Sequence, residues 1–242
     1  MKLQRLFLGA ALTISCLGFA AIGFAEAKAM DMELALRGSY SHVENFAGFK
    51  RSATMFKGAR ENSWAEVVVE QEDGMTGGTK QERYIGDVLD GPRNDTLFNI
   101  KRQVEYVRAG DGRLQAKNVT AVNLGMFVYI QDEETFKLAR PEGAAGTNED
   151  ITGNYSKVDM TLLSPDAAMY LVERFCKSNA QYGARLEGAK LMAGGPSGEV
   201  VEVRIVEDHP DHVVTRETLQ VHNTGDIYRY DVALDKAEKV GP

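Results

Sequence analysis

Ser164-Pro165-Asp166-Ala167-Ala168-Met169-Tyr170-Leu171-Val172-Glu173-Arg174-Phe175-Cys176-Lys177 is the stretch whose reading decides the fold. Ser164 is a side chain that can accept from the free N–H groups of a first helical turn, and Pro165 suits the first helical position. Asp166 complements the positive end of the helix dipole. Ala168, Leu171, Val172, Phe175 and Cys176 follow at helical spacing, which predicts one apolar stripe. Glu173 and Lys177 form an i,i+4 pair on the other side. Asn179 to Gly183 is expected to end the helix.

Three strands are expected after it. Glu199–Val206 carries Val201, Val203 and Ile205 on one face, and Val213–His222 carries Val213, Leu219 and Val221. Ile227–Val232 is the third. Glu207 to His212, around Pro210, is the first turn, and Asn223-Thr224-Gly225-Asp226 is the second. Gly188 to Gly195 reads as a connection. The helix stripe needs a covering, so Leu171, Val172 and Phe175 are expected against some of Val201, Val203, Leu219 and Val221.

The helix start at Ser164-Pro165-Asp166-Ala167-Ala168 and the meander Leu219-Gln220-Val221-His222-Asn223-Thr224-Gly225-Asp226-Ile227-Tyr228 together resemble the PepSY repeat of secreted bacterial proteins. The resemblance covers residues 160–232. It implies extracytoplasmic protein contacts and peptidase inhibition, and it supplies no catalytic motif.

Upstream, residues 39–140 read mostly as strands. Phe98, Ile100, Val104 and Tyr106 alternate with Asn99, Lys101, Gln103 and Glu105, the period of a half-buried strand. Arg102 breaks that apolar face and marks an edge or a polar pocket. Gly110-Asp111-Gly112 is a hairpin signal, after which Leu114 to Val122 can return antiparallel. Leu124 to Ile130 is apolar on both faces and is expected to be central. Trp64 to Gln71 is another strand, and Gly74 to Gly78 is a loop. Residues 30–45 are read as a short helix. Pro141 to Gly153, with no apolar periodicity, is the candidate boundary.

The N-terminus reads as an address. Lys2 and Arg5 precede an uncharged run from Leu6 to Phe24, and Ala25-Glu26-Ala27 offers a cleavage site after Ala27. An uncleaved anchor is the rival, and lipidation at Cys16 a weaker one. Cleavage near Ala27 implies an exported protein, periplasmic or extracellular. It leaves Cys176 as the one cysteine, so no intramolecular disulfide is expected.

The expected class is therefore α+β: mostly antiparallel β, with one clear amphipathic helix packed on a C-terminal antiparallel sheet. The divisions are a signal peptide at 1–27, a β-rich N-terminal domain at 28–150, and helix plus antiparallel sheet at 151–242, with one continuous domain over the last two as the alternative. The chain has 242 residues, 43% hydrophobic and 26% charged, with a net charge of −7. That composition excludes collagen, coiled coil and wholesale disorder, and the acidic balance argues against nucleic acid as a partner. A membrane partner is expected only through an uncleaved signal segment.

Chemistry is sparse. Asp208-His209-Pro210-Asp211-His212 concentrates metal-ligand types, and His222 could approach it. The same residues suit a solvated turn, and no metal site is assigned to His209 and His212. Cys176 on the apolar face reads as a core residue, and Asp132-Glu133-Glu134 as a turn. Asn94, Asn118 and Asn154 begin N-glycosylation triplets. Gly-x-Ser-x-Gly, His-Glu-x-x-His and phosphate-loop signatures are missing, so no catalytic, cofactor-binding or metal residue is assigned. The expected function is an exported, non-catalytic binding or protein-interaction protein of the cell envelope. One alternative is a carrier of a small hydrophobic ligand in a curved-sheet cavity over residues 60–140. The other is a hydrolase whose catalytic group assembles from distant residues.

Overall fold

A computed structural model describes residues 36–43, 48–58, 61–72, 78–91, 95–108, 113–141, 151–231 and 234–242. The signal segment, the Gly74–Gly77 part of the expected loop, the Gly110–Gly112 turn, Asn94 and residues 142–150 of the expected boundary lie outside these residues.

Eight antiparallel strands close into a barrel. They are β1 (Arg37–His42), β2 (Phe49–Phe56), β3 (Trp64–Glu72), β4 (Thr79–Asp90), β5 (Thr96–Arg108), β6 (Leu114–Ile130), β7 (Thr135–Ala139) and β8 (Gly153–Asp159). Each pairs with the next in sequence, and β1 pairs with β8 to complete the circle. β1 overturns the short helix read over 30–45, at least for residues 37–42. Gly38 and Ser39 sit inside it, where the weak helical pattern was already interrupted. Because β8 belongs to the barrel, the change of architecture falls after Asp159 rather than at residue 150.

The barrel interior is filled by its own side chains. Tyr40, Phe98, Ile100, Met126, Phe136, Leu138 and Tyr155 are almost wholly inaccessible and belong to one apolar cluster. Phe136 lies edge-on to Tyr40 at 4.7 Å and stacks on Tyr155 at 5.2 Å. An eight-stranded barrel is about narrow enough for side chains alone to fill it. These buried side chains lie on the inner face of the curved sheet over residues 60–140, where the carrier alternative expects its cavity.

One expected alternation changes face partway. The β5–β6 register shifts between Ile100 and Arg102, and the β4–β5 register between Ile85 and Gly86. Phe98 and Ile100 point into the barrel, while Val104 and Tyr106 join the cluster outside it. Gly86 belongs at the irregularity, since a Cβ there would sit 2.0 Å from the Asn99 carbonyl oxygen. β6 is one long strand rather than two. Its Met126 and Val128 are buried, but Tyr129 is 47% exposed, so this strand is covered on one face only.

Two helices follow instead of one: α1 (Pro165–Ser178) and α2 (Ala180–Leu186). The Ser164 hydroxyl accepts from the Ala167 N–H at 3.1 Å, the expected cap. Asn179 ends α1 and starts α2, its side-chain oxygen accepting from the N–H groups of Gln181 and Tyr182. A seven-residue helix holding Gly183 leaves too little periodicity to be read from sequence.

A five-stranded antiparallel sheet completes the chain, in the order β13-β12-β11-β10-β9. Its strands are β9 (Lys190–Ala193), β10 (Val200–Asp208), β11 (Val213–His222), β12 (Ile227–Asp231) and β13 (Lys236–Gly241). β10, β11 and β12 are the three expected strands. The edge strands β9 and β13 are additions, and β9 lies in the stretch read as a connection. Leu171, Val172 and Phe175 share one apolar cluster with Val201, Val203, Ile205, Leu219 and Val221.

That same cluster contains Phe56, Trp64, Ile85 and Val104 from the outer wall of the barrel. α1 is therefore packed on both sides, by the sheet and by the barrel. This explains why Asp166, Ala167 and Tyr170 are buried along with the apolar stripe. A second junction lies at the β11–β12 turn, where the Trp64 indole N–H donates to the Asn223 carbonyl at 2.8 Å. Gly225 has φ +81°, and a Cβ there would come 2.4 Å from the Asn62 carbonyl oxygen. Only glycine serves both the turn and the close approach.

Candidate functional site

The seam between the barrel wall and α1 brings together three buried polar side chains, Glu66, Ser164 and Asp166. β3 and β4 present Glu66 and Arg83 outward, and the first turns of α1 present Ser164 and Asp166 against them. Arg83 Nη1 lies 3.2 Å from Glu66 and 3.3 Å from Asp166. The Ser164 hydroxyl donates to Glu66 at 2.9 Å, and the Tyr106 hydroxyl lies 2.7 Å from both Asp166 oxygens. Burial drives the Glu66 carboxyl above its ordinary range of 4.5, with Arg83 and Ser164 opposing and Asp166 adding to the rise. Arg83 is shifted upward, because the attraction of Glu66 and Asp166 outweighs the downward push of its own burial. Burial, then the Asp166 hydrogen bond, pushes the Tyr106 hydroxyl well above the usual phenol value.

Further along α1 the seam opens into two clefts that share Asp87 and Arg174 as walls. The larger, about 870 Å³, is lined by Leu89, Leu171, Phe175, Ile227 and Val240 among its apolar groups. Its cations are already engaged. Arg174 pairs with Asp87 and donates to the carbonyls of Ser63 and Glu61, and Lys239 lies 2.9 Å from Asp226. Tyr170 also donates to Asp87, at 2.8 Å.

The smaller cleft, about 470 Å³, is bounded by β4, β5, β6 and α1. Lys101, Arg102, Arg174 and Lys177 line it with Asp87 and Glu173, and Val119, Ala121 and Tyr170 form the apolar part. Arg102 thus marks a polar pocket, the second of the two meanings its position allowed. Burial shifts its guanidinium downward, with Asp166 and Tyr170 opposing.

The residues singled out by sequence lie elsewhere. His209 and His212 stack at 4.8 Å in the β10–β11 turn, and His212 Nδ1 is 2.7 Å from Asp211. His222 cannot join them, because the register sets Val200 opposite His222 and Asp208 opposite Val213, at opposite ends of the hairpin. Among the described residues no three His, Cys, Asp or Glu side chains gather as a metal set. Cys176 is buried in the apolar cluster around α1, and burial raises its thiol pKa. Asp132 accepts from the Glu134 N–H at 2.9 Å in the turn between β6 and β7. Asn118 is exposed on β6, whereas Asn154 keeps a buried side-chain oxygen without a hydrogen bond.

Sequence reasoning missed Glu66, Arg83, Asp87, Tyr170 and Arg174. Asp166 was read only as a dipole partner. A usable signal existed: charged residues punctuate the strands at 66 and 83, as Arg102 does in β5. No known family, curated protein or solved structure matches the chain.

Proposed function

We propose that this is a non-catalytic binding protein of the extracytoplasmic space that holds an apolar or amphiphilic ligand in the larger seam cleft. One observation carries the reading: a cleft of about 870 Å³ lies between barrel, α1 and sheet, with Leu89, Leu171, Phe175, Ile227 and Val240 forming an apolar part of its wall and both lining cations, Arg174 and Lys239, already paired. Its volume falls in the range of small-molecule sites, roughly 300–1,000 Å³, and junctions between structural units are favoured places for them. The basic start at Lys2 and Arg5, the run Leu6–Phe24 and the Ala25–Ala27 site support export. The likeness of residues 160–232 to the PepSY repeat supports an extracytoplasmic binding role. Relative to a carrier that uses its curved sheet, the ligand seat moves outside the barrel.

Titration with a fluorescent dansyl fatty acid tests this. Wild type is expected to bind at one site, and Leu89→Trp, which places a large side chain at a partly exposed position of the cleft wall, to bind at least tenfold more weakly. Equal binding by the two proteins, or no binding by either, would overturn the reading.

A further inference from the structure

We infer that the smaller cleft is a separate seat for a phosphomonoester. Four cations line it, Lys101, Arg102, Arg174 and Lys177, against two carboxylates, Asp87 and Glu173. Arg174 is matched by Asp87. Glu173 is shared, because Arg102 and Lys177 both pair with it. Lys101 donates to a neutral group, the Asn123 side-chain oxygen, at 2.6 Å. Asp166 also acts on Arg102, but Arg83 and Tyr106 already hold it. The lining therefore carries two positive charges more than its carboxylates balance, in a chain whose net charge is −7.

A concave site with one sign of charge and a low-dielectric wall focuses field on whatever enters it. The guanidinium of Arg102 and the ammonium groups of Lys101 and Lys177 are donors suited to phosphate oxygens. A phosphomonoester brings close to two negative charges near neutral pH, which matches the excess. The volume of about 470 Å³ leaves room for an organic group against Val119, Ala121 and the Tyr170 ring. This seat does not depend on occupancy of the larger cleft, which lies across the Arg174–Asp87 pair.

Isothermal titration with glycerol 3-phosphate at low salt reads the site. The expected result is one site in wild type, weakened at least tenfold in the Lys101→Gln/Lys177→Gln double variant. Both side chains sit toward the surface, so the variant should melt with wild type. Leu89→Trp should bind glycerol 3-phosphate normally, which separates this test from that of the larger cleft. Flotation with vesicles containing phosphatidic acid distinguishes the sources. Binding to the vesicles and not to the free ester identifies a lipid headgroup, provided the double variant loses it. Unchanged binding by the double variant, or no binding of either probe, would overturn the assignment.

Discussion

The barrel interior and the barrel–helix seam both bury side chains and are chemically opposite. Inside the barrel, Tyr40, Phe136 and Tyr155 pack ring against ring, and Phe98 shares their apolar cluster with aliphatic neighbours. In the seam, Glu66 is 3% exposed and still carries a carboxyl, held by Arg83 and Ser164 beside Asp166. The interior needs mainly volume and shape, since apolar burial is non-directional, although the Tyr155 hydroxyl also donates to the Ile151 carbonyl at 2.8 Å. The seam needs geometry as well, because a buried charge without its partner is far costlier than a missing methylene. A tolerant core and an exacting interface therefore lie on the two faces of the same strands.

The largest expected effect is in the tolerant region. Phe98→Ala empties space in the buried interior cluster and should destabilise by about 3–5 kcal/mol, read from denaturant midpoints. A substitution that conserves volume, Phe98→Leu or Phe98→Met, should recover much of that loss. If it does not, the interior is more specific than the comparison allows.

Arg83→Met keeps length and apolar bulk at the seam but leaves Glu66 and Asp166 facing each other. A cost of about 3 kcal/mol is expected, part of it relieved when Glu66 takes up a proton. Chemical denaturation at two pH values checks both halves. The variant should lose less at the lower pH; equal losses would mean that protonation of Glu66 brings no relief, and no loss at either pH would mean the seam tolerates its carboxylates unpaired.

Glu66 gives a sharper and smaller effect. Its folded-state pKa is raised, so the folded protein binds that proton more tightly than the unfolded chain does. The stability it contributes is fully present below the ordinary value of 4.5 and is lost as pH rises through the raised value. Glu66→Gln removes the proton and keeps an oxygen that can accept from Ser164. Plotted between about pH 5 and 8, the melting temperature of wild type minus that of the variant should fall as pH rises. A flat difference would show that Glu66 titrates as it does in the unfolded chain.

The smallest effect belongs to neither region. Arg229 and Glu238 pair at 3.0 Å across β12 and β13, in the open. Arg229→Ala should cost less than about 1 kcal/mol by thermal denaturation, as exposed pairs usually do. A larger loss would mean that the sheet edge depends on charge as the seam does.

The difference between the regions also explains what could be read from sequence. Alternation in β3 and β5, the Ser164 cap and the stripe from Ala168 to Cys176 are local patterns, and they led to strands, helix and meander. Barrel closure requires β1 to find β8, more than a hundred residues away, and no local pattern encodes that pairing. The second covering of α1 was missed for a related reason. Tyr170 and Arg174 look like an exposed polar side in one helix, and the burial of Tyr170 and the pairing of Arg174 with Asp87 appear only when the barrel wall stands against them. Arg102 was the exception, since a charge in an alternating strand is visible as a break.

Amide hydrogen exchange with and without the dansyl fatty acid tests most directly whether ligands seat in the seam rather than in the barrel. The ligand should slow exchange over residues 171–179 and 225–227, which line the larger cleft, and leave the strands bearing Phe98, Met126 and Phe136 unchanged. Slowing confined to those strands, with the seam unaffected, would place the ligand inside the barrel and contradict the account.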